Sequence, residues 1–542
     1  MDYANYRFLI VDTIKQSRDS LKQFAYNLGD VRVDITAYVR DALSFCQDVR
    51  YDVILLGYDL GEKQKNGQQL LEELRVKNLV KQQAIVIIIT AEISQAMVLA
   101  ALEHKPDEYL TKPFTLKDLK RRLDRSLAKK QAMNNVYRAL DNEQHDKAIE
   151  LCQSVIEKYP HYRNECLGII SRQYFELKQY QKAEEIYQGY KDKPNCQWAA
   201  IGLGKIALAQ ENYQSAIEHF DSIIEKTPRY LKAYDWLAKA YQLKGEKKKA
   251  EQTLEQGLVV SPRSVGRLKN YALLCLENEN YEKATDAFKQ TNELALNSVH
   301  HKPENALLFA TSLLELFNKL PSQEAKKLAN QAYQALHIMA KEFNQEELII
   351  RGHLLTASLQ VKTKEHTTAN NTTRRAEKLL ETLRHDLSAN GTIEISKSLI
   401  NLDRKDTATE LLTTLAQNNP EDKKLLEQID QCAGNKISSA VTQAQESVKV
   451  AMAHYQSKRY EQAIDELNKV LSMFPDHNGI KMNLLQVLLV AQEQAQARAQ
   501  DLIQSKSLIT EFEQLSAKHY SLDRFQKLKT KYISLNEVQE ES

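Results

Sequence analysis

Glycine and proline are scarce in this 542-residue chain, 15 and 10 respectively, so long stretches of backbone have few breakers and favour helix over strand and turn. Six cysteines (Cys46, Cys152, Cys166, Cys196, Cys275, Cys432) are scattered with no CxxC pair. That spacing argues against a zinc or disulfide framework and leaves buried or half-buried thiols in a reducing compartment. There is no surplus of one charge sign: 74 Lys and Arg face 72 Asp and Glu, a net of +2. Such a balance lacks the electrostatic footprint of a nucleic-acid binder, and no nucleic-acid partner is expected. No apolar run approaches the roughly eighteen residues that a membrane helix needs, so no membrane insertion is expected. The opening MDYANYRFLIVD has no basic n-region and enters an apolar strand pattern directly, which predicts a cytoplasmic location. Walker A, GxGxxG, HExxH and GxSxG patterns are missing, and no enzyme is expected.

What is present falls into two textures that meet near residue 115. Before it, short apolar runs alternate with amphipathic stretches. Arg7–Asp12, Val31–Thr36, Asp52–Leu56, Ala84–Thr90 and Glu108–Leu110 read as five strands. DVILL and AIVIIIT are almost continuously apolar, as parallel strands buried on both faces require. Strand and helix in alternation predict an α/β doubly wound five-stranded parallel domain, with its functional site at the carboxyl ends of the strands.

After residue 115 strand signals nearly vanish. Leu116 to about Asn134 predicts one breaker-free helix. Then Pro160, Pro194, Pro228 and Pro262 recur every 34 residues. Ala148, Ala216 and Ala250 each stand twelve residues before such a proline; Ala183 is one residue off, and Ala284 continues the series. Four residues after each alanine comes a larger side chain: Cys152, Tyr187, Phe220, Leu254, Phe288. A helix pair explains this: a small residue where two helices touch, a large one a turn later between units, and a proline ending the second helix. Ala408 with Pro420, and Ala463 with Pro475, repeat the spacing later. A polar loop is expected near Lys362–Thr373 and a hinge near Ala433–Ser439. His300-His301 reads as an exposed loop pair.

The first 125 residues resemble the receiver domain of two-component response regulators. That resemblance implies a phosphoryl-accepting Asp after the third strand, acids after the first strand that hold Mg²⁺, a Ser or Thr after the fourth, and a Lys after the fifth. Asp12, ending FLIVD, matches the first acid, but its neighbour is Thr13 where the family has a second. Thr90 in IIITA matches the hydroxyl position, Tyr109 the aromatic position, and Lys112 in EYLTKPF the lysine, with Pro113 behind it. The position directly after DVILL, where the acceptor belongs, is Gly57. Glycine cannot accept a phosphoryl group, and with Thr13 in place of an acid only a weak or vestigial Mg²⁺ site at Asp12 is expected. No cofactor is required beyond that. Asp59 is the competing acceptor: its distance to the Asn66-Gly67 turn is the usual one, and a third strand longer by two residues would keep it on the same side as Gly57.

The later repeats resemble the tetratricopeptide repeat (TPR), best in Trp198–Gly204 and Tyr234–Tyr241. The resemblance implies an all-α superhelical solenoid whose first helices line a groove for protein partners, with Trp198, Ile201, Lys205, Lys232, Asp235 and Lys239 as groove positions. The expected organisation is a receiver-like domain over 1–125, a connecting helix over 126–136, repeats over 137–296, degenerate helical repeats over 297–400, C-terminal repeats over 401–535 and a disordered tail over 536–542. The functional expectation is a bacterial two-component signalling adaptor. Its phosphorylation-independent pseudo-receiver docks a histidine kinase, another response regulator or an effector, and its arm binds protein; a homodimer stays open. The alternatives are a response regulator phosphorylated at Asp59, and a structural scaffold for a bacterial assembly.

Overall fold

The computed structural model describes residues 3–61, 65–91, 106–194, 196–383, 386–419, 421–434, 437–474, 477–514 and 522–540. It divides into two compact units, 1–335 and 336–542.

The first unit begins with a five-stranded parallel sheet: β1 Arg7–Val11, β2 Arg32–Thr36, β3 Val53–Gly57, β4 Ile85–Thr90 and β5 Glu108–Thr111, in the order β2-β1-β3-β4-β5. Every residue of β3 and β4 is buried, which accounts for their unbroken apolar runs. Successive side chains enter opposite core layers, as the strand period of two requires. Phe8, Ile10, Val53, Leu55, Ile85 and Ile87 pack with Leu21, Phe24, Leu119 and Leu123. Leu9, Val11, Ile54, Leu56, Val86 and Ile88 pack with Ala42, Cys46, Leu70, Leu71 and Leu74. The order of strands reverses between β1 and β3, so the crevice beyond their carboxyl ends is where side chains from several strands can converge.

The helix after β5 is Leu116–Asp141, opened by a Thr115/Asp118 capping box. At about 1.5 Å per residue its 26 residues span about 39 Å. Leu119, Leu123 and Leu127 bury against the sheet, while Met133, Val136 and Tyr137 bury against the next helices. The expected connector over 126–136 is thus an interior part of a helix shared by the sheet domain and the first helical repeat. A separate tie inside this unit joins His300 to Glu72 at 2.7 Å. The histidine pair expected to be simply solvated therefore has a partner on the helix Gly67–Val76.

Helix pairs follow: His145–Lys158, Arg163–Glu176, Tyr180–Tyr190, Gln197–Ala209, Tyr213–Lys226, Leu231–Lys244, Lys247–Val260, Val265–Glu277 and Tyr281–Ala295. Ala148, Ala183, Ala216, Ala250 and Ala284 are fully buried, and Cys152, Tyr187, Phe220, Leu254 and Phe288 are buried one turn on. The contacts leave no room for a methyl group at two glycines: a Cβ on Gly202 would overlap the Tyr187 ring, and one on Gly204 the Phe220 ring. Each pair turns through a left-handed residue: Glu143, Lys178, Glu211, Gly245 and Glu279 have φ of 54°, 58°, 61°, 88° and 62°. The next N–H then closes back on the helix. Gln179 N donates to Tyr174 O at 2.8 Å, Asn212 N to Ala207 O at 2.8 Å and Asn280 N to Cys275 O at 2.8 Å.

The second unit uses the same turn. Lys364, Asp403, Lys458 and Ala495 are left-handed, and Glu365 N donates to Gln360 O at 2.8 Å, Arg404 N to Leu399 O at 2.9 Å. Its helices at 346–362 and 366–383, of 17 and 18 residues, are longer than the repeat helices between His145 and Ala295. Two expectations are corrected. The polar loop expected at 362–373 contracts to Thr363–Glu365, because the helix His366–Leu383 starts at once. Its threonines are accommodated by turning hydroxyls onto the backbone, Thr373 Oγ1 donating to Ala369 O at 2.9 Å, and Thr372 Oγ1 reaching Gln360 Oε1 at 3.0 Å. The last helix, Leu522–Glu540, also runs through 536–540, where a tail was expected. Pro420 and Pro475, and residues 435–436 of the expected hinge, lie outside the described residues. Ala408 and Ala463 are both fully buried.

Candidate functional site

Asp12 follows β1 directly and is 3% exposed. Its Oδ1 accepts from Ile14 N at 2.9 Å; its Oδ2 accepts from Ser17 Oγ at 2.8 Å and from Lys112 Nζ at 3.2 Å. Lys112 Nζ also donates to Ser17 Oγ at 3.2 Å. The lysine is placed by β5, whose end is pinned when Lys112 N donates to Thr90 O at 2.6 Å. Arg18, on the helix Lys15–Tyr26, donates from Nη1 to Asp12 O at 2.6 Å and Thr13 O at 2.8 Å, which holds the loop after β1 against the helix start.

Gly57 is the last residue of β3 and faces this cluster. A Cβ on it would stand 3.1 Å from Val11 O and 3.3 Å from both Cα and Cγ of Asp12. Thr90 closes β4 and is buried beside it. Tyr109, paired in register with Ile88, is half-buried against the layer that holds Val86 and Ile88. Asp12, Gly57, Thr90 and Lys112 therefore stand together at the carboxyl ends of their strands, and Tyr109 lies three residues before Lys112.

Thr13 and Asp59 lie at the rim. Thr13 is exposed, and its hydroxyl donates to Asp59 O at 3.2 Å. The strand ladder ends when Tyr58 N donates to Ile89 O at 2.8 Å; Tyr58 O then accepts from Gly67 N at 2.7 Å. Tyr58 and Leu60 are buried on either side of Asp59, which points to solvent, where its Oδ1 accepts from Gly61 N at 3.0 Å. Among the described residues no hydrogen bond joins the Asp59 carboxylate to Asp12, Thr90 or Lys112. Ser17 and Arg18 are the site residues that sequence reading missed. The available signal was their place in the first turn of the helix after Asp12, where short polar side chains meet the preceding strand end.

The six expected groove positions separate by role. Trp198 packs near Tyr187 and Tyr190, with ring centroids 5.9 and 5.8 Å away, and its Nε1 donates to Asn164 Oδ1 at 3.2 Å. Ile201 is buried in the core with Phe220 and Leu237. Asp235 accepts from Arg267 twice, from Nε at 2.8 Å and Nη2 at 3.0 Å. Lys205 places its ammonium 4.7 Å from the Phe175 ring centre and 5.1 Å from that of Trp236. Burial holds that ammonium below the ordinary lysine range; Glu176 opposes the shift, and Arg172 and Lys232 add to it. Lys232 and Lys239 are exposed.

Comparison with known proteins agrees with this division. Residues 8–124 match the response regulator receiver domain, and residues 170–230, 207–264 and 449–503 match tetratricopeptide repeats. Residues 8–124 thus carry a receiver domain, joined to helices that match TPR repeats, a combination that supports a general role in signalling and protein interaction. One relative is the transcriptional regulatory protein CiaR of Streptococcus pneumoniae, 42% identical over 84 residues, which are 16% of this chain and 35% of that protein. The chain thus spans about a third of that relative's length. Among solved structures, the receiver domain of Francisella response regulator 1452 is 27% identical, covering 23% of this chain and 98% of that one (TM-score 0.21). A MamA RS-1 ArsTM double mutant is 19% identical, covering 30% and 93% (TM-score 0.26). No described helix is long and apolar enough to cross a membrane.

Proposed function

We propose that the chain is a signalling adaptor whose receiver pocket works without an aspartyl phosphate and whose TPR arm binds protein. The observation that carries the reading is the closed pair of Lys112 with Asp12, made across a site where Gly57 supplies no side chain. The lysine that would hold a phosphoryl oxygen is already neutralised by the carboxylate that would hold a metal. Mg²⁺ does not fit this donor set. Among the described residues only the Asp12 carboxylate faces the pocket, it already accepts three hydrogen bonds, and the Thr13 hydroxyl is turned to Asp59 O. A hard cation that keeps near-octahedral oxygen coordination needs more than that.

In this reading the receiver acts through its surface. Ile14 and Tyr38, 58% and 60% exposed on loops at the carboxyl edge of the sheet, offer apolar contacts to a histidine kinase or a second regulator. The arm then holds a further protein. The test is labelling of purified chain with acetyl phosphate and Mg²⁺. No base-labile acyl phosphate is expected, in wild type or in Asp59→Asn. Labelling that Asp59→Asn abolishes would instead establish the alternative, a response regulator phosphorylated in the loop after β3.

A further inference from the structure

Arg172, Lys205 and Lys239 stand 33 and 34 residues apart, at equivalent places on the first helices Arg163–Glu176, Gln197–Ala209 and Leu231–Lys244 of three successive repeats. The middle member shows that these helices share one surface. Lys205 lies over Phe175 of the helix before and Trp236 of the helix after. Lys232 and Lys239 fall on one stripe of the third helix, seven residues apart with Asp235 between them. Asp235, the acid best placed to neutralise this stripe, is held by the buried Arg267. Among the described residues, no ion pair engages Arg172, Lys205, Lys232 or Lys239, and Glu176 is the acid that acts on Lys205. The result is a row of cations with too few acids, fixed in the middle by two aromatic rings.

We infer that this row is a docking track for an acidic, extended segment of a partner protein. The spacing argues for a peptide. Neighbouring helices pack about 10 Å apart, and an extended chain advances about 3.3 Å per residue, so one acidic side chain in every three meets successive repeats. Both rings that a stacked base would need are covered by Lys205, which argues against single-stranded nucleic acid. The inference rests on the protein-binding role proposed for the arm and not on the chemistry of the receiver pocket. Acetyl-phosphate labelling and peptide binding can therefore fail independently.

The test is fluorescence anisotropy with the full chain and short fluorescein-labelled peptides in an Ala/Pro background. One peptide carries Glu at every third position, one carries the same number of Glu in a contiguous block, and one carries Gln instead. Single-stranded DNA of matched charge is the competitor. The every-third peptide is expected to bind with affinity that falls as salt rises, and the Gln peptide not to bind. Arg172→Ala and Lys239→Ala should each weaken it roughly three- to fivefold. The double charge reversal Arg172→Glu/Lys239→Glu should weaken it by more than an order of magnitude, with unchanged helical circular dichroism. Absence of binding, equal binding of the block peptide, indifference to the double reversal, or tighter binding of the DNA would each overturn the inference.

Discussion

Restoring an acid at the end of β3 should harm this receiver unless a metal is supplied. In Gly57→Asp the new Cβ meets Val11 O at 3.1 Å and Asp12 Cα and Cγ at 3.3 Å. Two of those atoms are backbone of the central part of the sheet, so the fit is tight where little can move. Gly57→Ala isolates that steric part, at about 1–2 kcal/mol. The aspartate adds a second carboxylate beside Asp12. Two unit charges about 4 Å apart repel by about 4 kcal/mol at an effective dielectric of about 20. Lys112, 3.2 Å from Asp12, offsets roughly half of this, leaving a gap of about 2 kcal/mol between the two variants. Both tryptophans lie in the repeats, so the assay is hydrogen exchange read by mass spectrometry on peptides covering Val53–Gly57 and Ile85–Thr90. Protection there should fall roughly several hundredfold in Gly57→Asp, and roughly five- to thirtyfold in Gly57→Ala. Millimolar Mg²⁺ should recover the Asp variant by ligand linkage and leave the wild type unchanged. Equal protection of the two variants without metal, or a wild type that Mg²⁺ protects as strongly, would refute the argument that position 57 faces a lysine-paired carboxylate.

Three further outcomes are expected. Gly204→Ala drives a methyl group into the Phe220 ring and should lower stability by about 2–3 kcal/mol, read as a loss of Tm by tryptophan fluorescence. Lys178→Gly relieves a left-handed residue at φ 58° and should raise the midpoint of urea unfolding, by about 0.5–1 kcal/mol; the reverse change Gly245→Ala, at φ 88°, should lower it. Burial pushes the Cys46 thiol up to about 11, so less than about one molecule in a hundred is thiolate at pH 8. Its alkylation in the native chain should be slow and should rise about tenfold per pH unit towards pH 11. Fast labelling at neutral pH would mean the helix Val39–Asp48 does not cover it.

The strands were legible because β3 and β4 bury both faces, and burial of both faces leaves an unbroken apolar run in the sequence. The early repeats were legible for a different reason: Ala216 and Phe220, or Ala250 and Leu254, must be small and large in register for the helices to meet. Between 297 and 400 that register fails. The helices Ser322–Phe343 and Glu346–Lys362 have 22 and 17 residues, so prolines and alanines cannot fall at a fixed interval. What persists is the left-handed turn, at Lys364 and Asp403 as at Lys178 and Glu211. It left no signal because the turn residues are Lys, Asp and Glu rather than glycine. The closing hydrogen bond and the packing beneath it impose the conformation against local preference. The threonine-rich start of His366–Leu383 misled for the same reason, since its hydroxyls pair with the helix's own carbonyls.

The pocket divides along similar lines. Asp12, Thr90 and Lys112 each stand at the end of a strand of the parallel sheet, so strand boundaries alone brought them together. Ser17 and Arg18 depend on where the first helix begins relative to β1, and Asp59 on where β3 stops. That stop is set by Gly67 N reaching back to Tyr58 O, and glycine is required there because a Cβ on Gly67 would overlap Gly57 O. With the strand ended, burial of Tyr58 and Leu60 turns Asp59 outward, and an argument from strand period no longer applies to it. The consequence reaches function. A receiver changes state when phosphorylation draws its lysine and hydroxyl onto a new anion. Here the ammonium already has an anion, Asp12, and that pair is present in the resting chain. On the proposed phosphorylation-independent reading, a partner that selects this surface is distinguished by contacts on the rim and along the arm.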